Sequence, residues 1–134
     1  MSGPPDAPAP GSARDWLRHA ASDLHLARIA LPDPDVLRNQ IAFHAQQTAE
    51  KALKAALVAR NIRFPRTHDL EALIEIVQLA GVPWPFAPAE IGALSPFAVE
   101  TRYPSGLAQI TVAEASEAVE TAAKVLRWAR QVIA

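Results

Sequence analysis

The sequence contains no cysteine, and this absence excludes several kinds of protein at once. Without thiols there can be no disulfide framework, no cysteine nucleophile and no cysteine-ligated zinc site, and nothing demands an oxidising compartment. The sequence also lacks any run close to the roughly 18 uninterrupted apolar residues that a membrane-spanning helix needs. We therefore expect a cytoplasmic protein that does not cross a membrane.

The sequence lacks a surplus of either charge, since 13 lysines and arginines stand against 14 aspartates and glutamates. No overall field would draw the protein to nucleic acid or to an anionic membrane, so any contact with RNA must be focal. Its 134 residues, half of them hydrophobic, suffice for one compact domain. Residues 1–11, rich in proline, glycine and alanine, lack the features of a signal peptide and are predicted to be a disordered tail before a domain at 12–134.

Several motifs of common enzyme classes are also missing. There is no phosphate-binding G-x-x-x-x-G-K-[ST] loop, no glycine fingerprint of a dinucleotide-binding fold and no G-x-S-x-G nucleophile elbow. His19 and His25 are six residues apart on the first predicted helix and do not share a face, so they do not form a metal-binding pair. The sequence therefore predicts neither a metal nor a cofactor.

The first half of the chain is dominated by helical spacing of apolar residues. Spacings of three and four predict a helix from Ala13 to Leu31, and a longer helix is predicted from the Asp33-Pro34-Asp35 signal to about Asn61. The longer helix carries small residues on one face, where another helix backbone can approach closely. It is therefore predicted to be the central helix, and its stripe consists of Ile41, Ala45, Thr48, Ala52, Ala56 and Ala59.

The second half of the chain continues the helical pattern in shorter pieces. A third helix is predicted to begin at 67–69 and to end before Gly81, and a weaker fourth one runs from about Ala89 with an interruption near Pro96. A T-x-x-E capping box at Thr111 opens a last helix with apolar heptads to the C-terminus. Because no segment alternates with the period of a strand, the predicted fold is all-α, an up-and-down bundle of four to five helices.

One face of the central helix is polar. At 100° per residue, a narrow strip next to the alanine-rich face carries Gln40, His44, Gln47, Lys51 and Lys54. Imidazole, amide and ammonium groups on one rigid element can contact a phosphate or a base. The alternative is an ordinary solvated helix face.

Two residues at the start of the same helix suggest a catalytic possibility. Arg38 could stabilise charge on a phosphorane-like transition state, and His44 could move the proton of a 2′-hydroxyl group, which are the two needs of metal-independent RNA cleavage. On a straight helix the two side chains point about 120° apart, so they converge only if the arginine wraps around the helix or a second copy contributes. The alternative is that Arg38 pairs with Asp35 or with solvent.

Three further residues are candidates for ligand contacts. His68 lies at the predicted start of the third helix, where backbone N–H groups can meet a phosphate, although a local capping arrangement is the alternative. Arg102 and Tyr103 could contact a phosphate and stack on a base. Equally, Glu100 and Arg102 could form a surface pair that fastens a loop.

Three segments of the sequence resemble signatures of HEPN-domain proteins in the same order. They are F-H-A-Q-Q-T-A-E-K-A-L-K-A at 43–55, T-H-D-L at 67–70 and E-T-R-Y-P at 100–104. The resemblance implies a helical bundle, frequent homodimers and an association with nucleotide or RNA chemistry. It also implies a small nucleotidyltransferase as a partner in a toxin–antitoxin-like module. Nuclease members share an arginine followed, after four to six residues, by a histidine, and Arg38 and His44 have that spacing.

Three hypotheses follow for the function. The first is a bundle that binds a nucleotide or RNA through the polar strip, His68, Arg102 and Tyr103. The second is a metal-independent endoribonuclease that uses Arg38 and His44. The third is a structural interaction module without a ligand, whose polar strip is plain surface; substitution of Lys51 and Arg102 without effect on any binding would favour it.

Overall fold

The computed structural model describes residues 7–98 and 109–134 of the chain. Within these residues the structure contains helices and no strand. The elements are α1 (Ala13–Ala30), α2 (Arg38–Ala59), α3 (Leu70–Leu79), α4 (Pro88–Gly92), a 3-10 helix (Ser95–Phe97) and α5 (Val112–Ile133). The predicted all-α fold with four to five helices is confirmed.

The side-chain contacts give the directions of the three long helices. Lys54, late in α2, lies over the ring of Trp16, early in α1, so these two helices run antiparallel. The Arg60 guanidinium after α2 donates to the carbonyl of Val132 near the end of α5, so α2 and α5 run in the same direction. The shorter α3 and α4 return the chain between them, which completes an up-and-down bundle.

The interior between the three long helices is built largely from alanine. Ala45, Ala49, Ala52 and Ala56 of α2 are fully buried, and small residues of α1 and α5 face the same interior. Because alanine side chains are short, the helix backbones approach closely, as the small-residue stripe of α2 predicted. This close approach brings polar side chains of α1 within reach of those on α2.

The beginning of α2 differs from the prediction. The helix begins at Arg38, whereas the Asp33-Pro34-Asp35 signal forms a separate turn in which the Asp33 carboxylate accepts the N–H of Asp35 at 2.9 Å. The N-cap position of α2 has no side-chain cap of its own. Instead, the side-chain oxygen of Gln109 accepts the N–H of Arg38, so a residue far along the chain caps this helix.

The beginnings of α3 and α5 follow the predicted capping signals. Asp69 accepts the N–H groups of the first turn of α3. At α5, Thr111 accepts the N–H of Glu114 at 3.0 Å, and the Glu114 carboxylate accepts the N–H of Thr111 at 2.9 Å. The pKa of Glu114 lies below its ordinary value, and the largest cause is the second of these bonds, which the backbone N–H of Thr111 donates.

Candidate functional site

A carboxylate of α1 joins two of the predicted site residues on α2. Asp23 lies 3.0 Å from His44 Nδ1 and accepts a hydrogen bond of 2.6 Å from Lys51 Nζ. His44 and Lys51 are two helical turns apart and therefore share one face of α2, which the antiparallel α1 crosses at Asp23. We call Asp23, His44 and Lys51 the Asp23 cluster.

A second carboxylate, on α2 itself, joins the other two predicted residues of this region. Glu50 is 2% exposed, accepts a bond of 3.0 Å from Lys54 Nζ and lies 3.0 Å from His68 Nδ1. The side-chain amide of Gln46 donates to Glu50 and to the backbone carbonyl of His68, both at 3.4 Å. We call Gln46, Glu50, Lys54 and His68 the Glu50 cluster.

Gln47 lies between the two clusters. On the surface of α2 it falls between His44 and Lys51, with which it shares a face. Its amide donates to the side-chain oxygen of Gln46 at 2.7 Å, and Gln46 in turn donates to Glu50. From His44 to Lys54, the polar strip of α2 is therefore an ordered hydrogen-bonded arrangement and not a set of independent solvated side chains.

The two lysines of the strip are paired inside the protein. Lys54 is only 7% exposed and lies between Glu50 and the face of the Trp16 ring, and Lys51 is bonded to Asp23. Each ammonium charge is therefore offset by a neighbouring carboxylate. In each cluster, therefore, one lysine and one carboxylate offset each other's charge.

Both imidazoles contact a carboxylate through the same ring nitrogen. His44 and His68 each have Nδ1 at a carboxylate, which orients the ring, and no hydrogen bond among the described residues involves Nε2 of either ring. The side chain of His68 is 73% exposed and that of His44 is 27% exposed. An oriented imidazole of this kind can donate a hydrogen bond to a phosphate oxygen or exchange a proton with a ligand.

Arg38 is not part of either cluster. It lies at the first turn of α2, six residues before His44 and about 9 Å away along the helix axis. The side-chain oxygen of the neighbouring Asn39 accepts the N–H of Ile110 at 3.0 Å, so this end of α2 is fastened to the segment before α5. This geometry shows no contact between the side chains of Arg38 and His44. Their joint catalytic role stays a prediction.

Two other predicted contacts, Arg102 and Tyr103, lie outside the described residues. Conversely, the sequence reasoning did not select the two acceptors around which the site is built, Asp23 and Glu50. The sequence contains a signal for Glu50, because this residue lies four positions before Lys54 on the same helix. It contains no such signal for Asp23, because only the packing of α1 on α2 brings Asp23 to His44.

Two classes of feature are absent from residues 7–98 and 109–134. No helix there combines the length and apolar character needed to cross a membrane. No three histidine, aspartate or glutamate side chains there converge as the ligands of a metal ion would.

The chain is similar to known proteins in sequence and in fold. The model of the HEPN domain family matches residues 13–132, which is nearly the whole chain. The structure is similar to the crystal structure of an archaeal HEPN homologue, with a TM-score of 0.69 and 23% sequence identity, covering 92% of this chain and 98% of that one. No curated protein matches the sequence.

Proposed function

Because the chain belongs to the HEPN domain family, we propose that it binds a nucleotide or an RNA phosphate on the polar face of α2. The observation that carries this proposal is the pair of histidines, each held at Nδ1 by a carboxylate, so that Nε2 is the ring nitrogen left for a ligand. Two oriented donors, with the amide of Gln47 between the clusters, suit a phosphate and an adjoining base.

The two carboxylates of the site are already paired with cations of the protein. Asp23 accepts a hydrogen bond from Lys51, and Glu50 accepts one from Lys54. Because their negative charge is offset in this way, an anionic ligand that approaches the two imidazoles meets no unpaired carboxylate in either cluster.

A binding experiment tests this proposal. Fluorescence anisotropy with a labelled short RNA, and competition by ATP, would be measured for the wild type and for His68→Ala and His44→Ala. Each substitution should weaken binding by about tenfold, which corresponds to the loss of one charge-assisted hydrogen bond. His25→Ala, an exposed histidine on α1, is the matched control and should bind as the wild type does. Equal binding by all four proteins, or no binding by any, would refute the proposed site.

The partners that the family resemblance implies belong to the same proposal. We propose a homodimer and a small nucleotidyltransferase as the protein partner in a toxin–antitoxin-like module, located in the cytoplasm. Co-expression of the chain with such an enzyme, followed by co-purification, tests this part. Recovery of the chain without the enzyme would contradict it and would leave ligand binding unaffected.

A second candidate function is metal-independent RNA cleavage. His44 favours it, because Asp23 holds Nδ1 and so positions Nε2 to take a proton from a 2′-hydroxyl group. The 2′-oxygen would then attack the adjacent phosphorus and form a 2′,3′-cyclic phosphate as the bond to the 5′-oxygen breaks. The leaving 5′-oxygen would take a proton from His44 or from water, with Arg38 stabilising the charge that develops on the phosphate.

Incubation of mixed RNA without added metal tests this activity. Cleavage by the wild type and by His25→Ala, but not by folded His44→Ala or Arg38→Ala, would support it. Intact RNA with every protein would refute cleavage while leaving the binding proposal standing.

A further inference from the structure

The outer face of α5 carries a regular line of exposed residues. Opposite the buried face of this helix, residues spaced by three and four positions are all exposed, which aligns them along one side. We call this line the α5 stripe; it consists of Ala113, Glu117, Glu120, Lys124, Arg127 and Gln131. The stripe lies on a different helix from the clusters of the proposed ligand site.

The charges of the stripe are antisymmetric about its middle. Glu120 and Lys124 each lie two residues from Ala122, and Glu117 and Arg127 each lie five residues from it. Both residues before the midpoint are acidic and both after it are basic. When two identical helices pack antiparallel about a twofold axis at the midpoint, residues equidistant from the axis lie at the same level. Each acidic residue of one copy then faces a basic residue of the other.

The helix dipole does not account for this arrangement. Its influence falls off within the first and last turns of a helix, whereas the four charges of the stripe lie in the interior of α5. Within the parts of the chain that the structure describes, one of these charges takes part in an ion pair, Lys124 with Glu90 of α4 at 3.4 Å, and both partners are partly exposed to solvent. A surface pair of this kind contributes little and can be shared with a second copy.

A partly apolar groove lies beside the α5 stripe. A groove of about 330 Å³ runs between α4 and α5, and its lining includes Ala93, Leu94, Phe97 and Ala118 as well as acidic residues of the stripe. A helix that follows the stripe therefore meets partly apolar surface next to the charges.

We propose that the α5 stripe is the surface on which a second copy of this chain docks, with the two α5 helices antiparallel. Glu117 then faces Arg127 of the second copy and Glu120 faces its Lys124, and the twofold axis repeats both contacts. The inference specifies the face used by the homodimer of the proposed function, and it does not depend on the ligand. Because the contacts are charged and solvent-accessible, they select the orientation of the pair and weaken with salt.

Two charge variants of the full chain test the proposal. Glu117→Lys/Glu120→Lys makes the stripe wholly basic, and Lys124→Glu/Arg127→Glu makes it wholly acidic. Neither should pair with itself, because like charges then face each other at every level. An equal mixture of the two should form heterodimers, because every level is again a pair of opposite charges. Glu71→Lys/Glu75→Lys on α3 is the control for the basic variant, with the same change of net charge.

Sedimentation equilibrium over a range of concentrations gives the dissociation constants, and circular dichroism shows that each variant is folded. We expect the wild type and the α3 control to self-associate alike, each stripe variant to do so at least about tenfold more weakly, and the mixture to recover the wild-type value. A monomeric wild type at low salt would overturn the proposal. Self-association of both stripe variants at the wild-type strength would also overturn it, by placing the contact on another face. RNA binding, measured separately, should be the same in all these proteins.

Discussion

Replacement of Glu50 by alanine should be among the most destabilising single changes on α2. The carboxylate is buried and is contacted by Lys54, His68 and Gln46 at 3.0–3.4 Å. Its removal leaves the ammonium group of Lys54, itself 7% exposed, without an opposite charge. Breaking such a buried pair costs about 3–5 kcal/mol, and a domain is stable by about 5–15 kcal/mol in total.

We expect a loss near the lower end of this range, about 3 kcal/mol, because a lysine side chain is long enough to carry its charge towards water once its partner is gone. Urea denaturation followed by circular dichroism would measure the free energy of unfolding. Glu75→Ala, at an exposed glutamate in the interior of α3, is the control and should change this free energy by at most about 0.5 kcal/mol.

A third protein separates the unpaired charge from the lost packing. Glu50→Gln/Lys54→Met removes both charges and nearly preserves both volumes, so it should be clearly more stable than Glu50→Ala. If Glu50→Ala costs no more than Glu75→Ala, the carboxylate does not hold the cluster together. If the double variant is as unstable as Glu50→Ala, the cost does not come from an unpaired lysine.

Three other predictions concern the caps of two helices and the hydrogen bond of a tryptophan side chain. Gln109→Ala should cost about 1 kcal/mol and speed hydrogen exchange at the first amide of α2, since it removes the only side-chain cap found there in the described residues. Unchanged exchange would contradict this, and Gln78→Ala, at an exposed position of α3, is the control. Trp128→Phe should cost about 1–3 kcal/mol in urea denaturation, because the indole N–H donates to the carbonyl of Pro83 at 2.6 Å and the acceptor would be left without it; a neutral effect would show that water replaces the bond. Glu114→Gln should flatten the acid side of the curve of stability against pH: the lowered pKa of Glu114 adds stability above the ordinary value of 4.5 that is lost as the pH falls through the folded pKa, and a curve parallel to that of the wild type would contradict this.

The sequence predicted the helices well where capping and apolar spacing agreed. The T-x-x-E signal at Thr111 and the aspartate at 69 mark the observed starts of α5 and α3. The start of α2 was wrong because Asp33 satisfies a local turn, while Gln109, distant in sequence, caps the helix. A local pattern contains no information about a cap supplied by another part of the chain.

The sequence predicted only part of the candidate site. The periodicity of α2 placed His44, Gln47 and Lys51 on one face, since helical geometry alone fixes which side chains share a side. The sequence did not indicate that Lys51 is bonded inside the protein to Asp23, because that depends on where α1 crosses α2. The lysine that the sequence offered as a ligand contact is therefore, in the folded chain, also the partner of a structural carboxylate.

The sequence by itself determined the all-α class, the long central helix and the family, because periodicity, capping signals and short motifs are local properties. The tertiary structure decided which charged groups of different elements meet, since Asp23 reaches His44, and Glu50 reaches His68, only when these parts of the chain pack together. It also decided that Nδ1 is the nitrogen of His44 and His68 that meets a carboxylate. Orientation of a side chain is set by its neighbours in space, and that is the property on which the chemistry of the site depends.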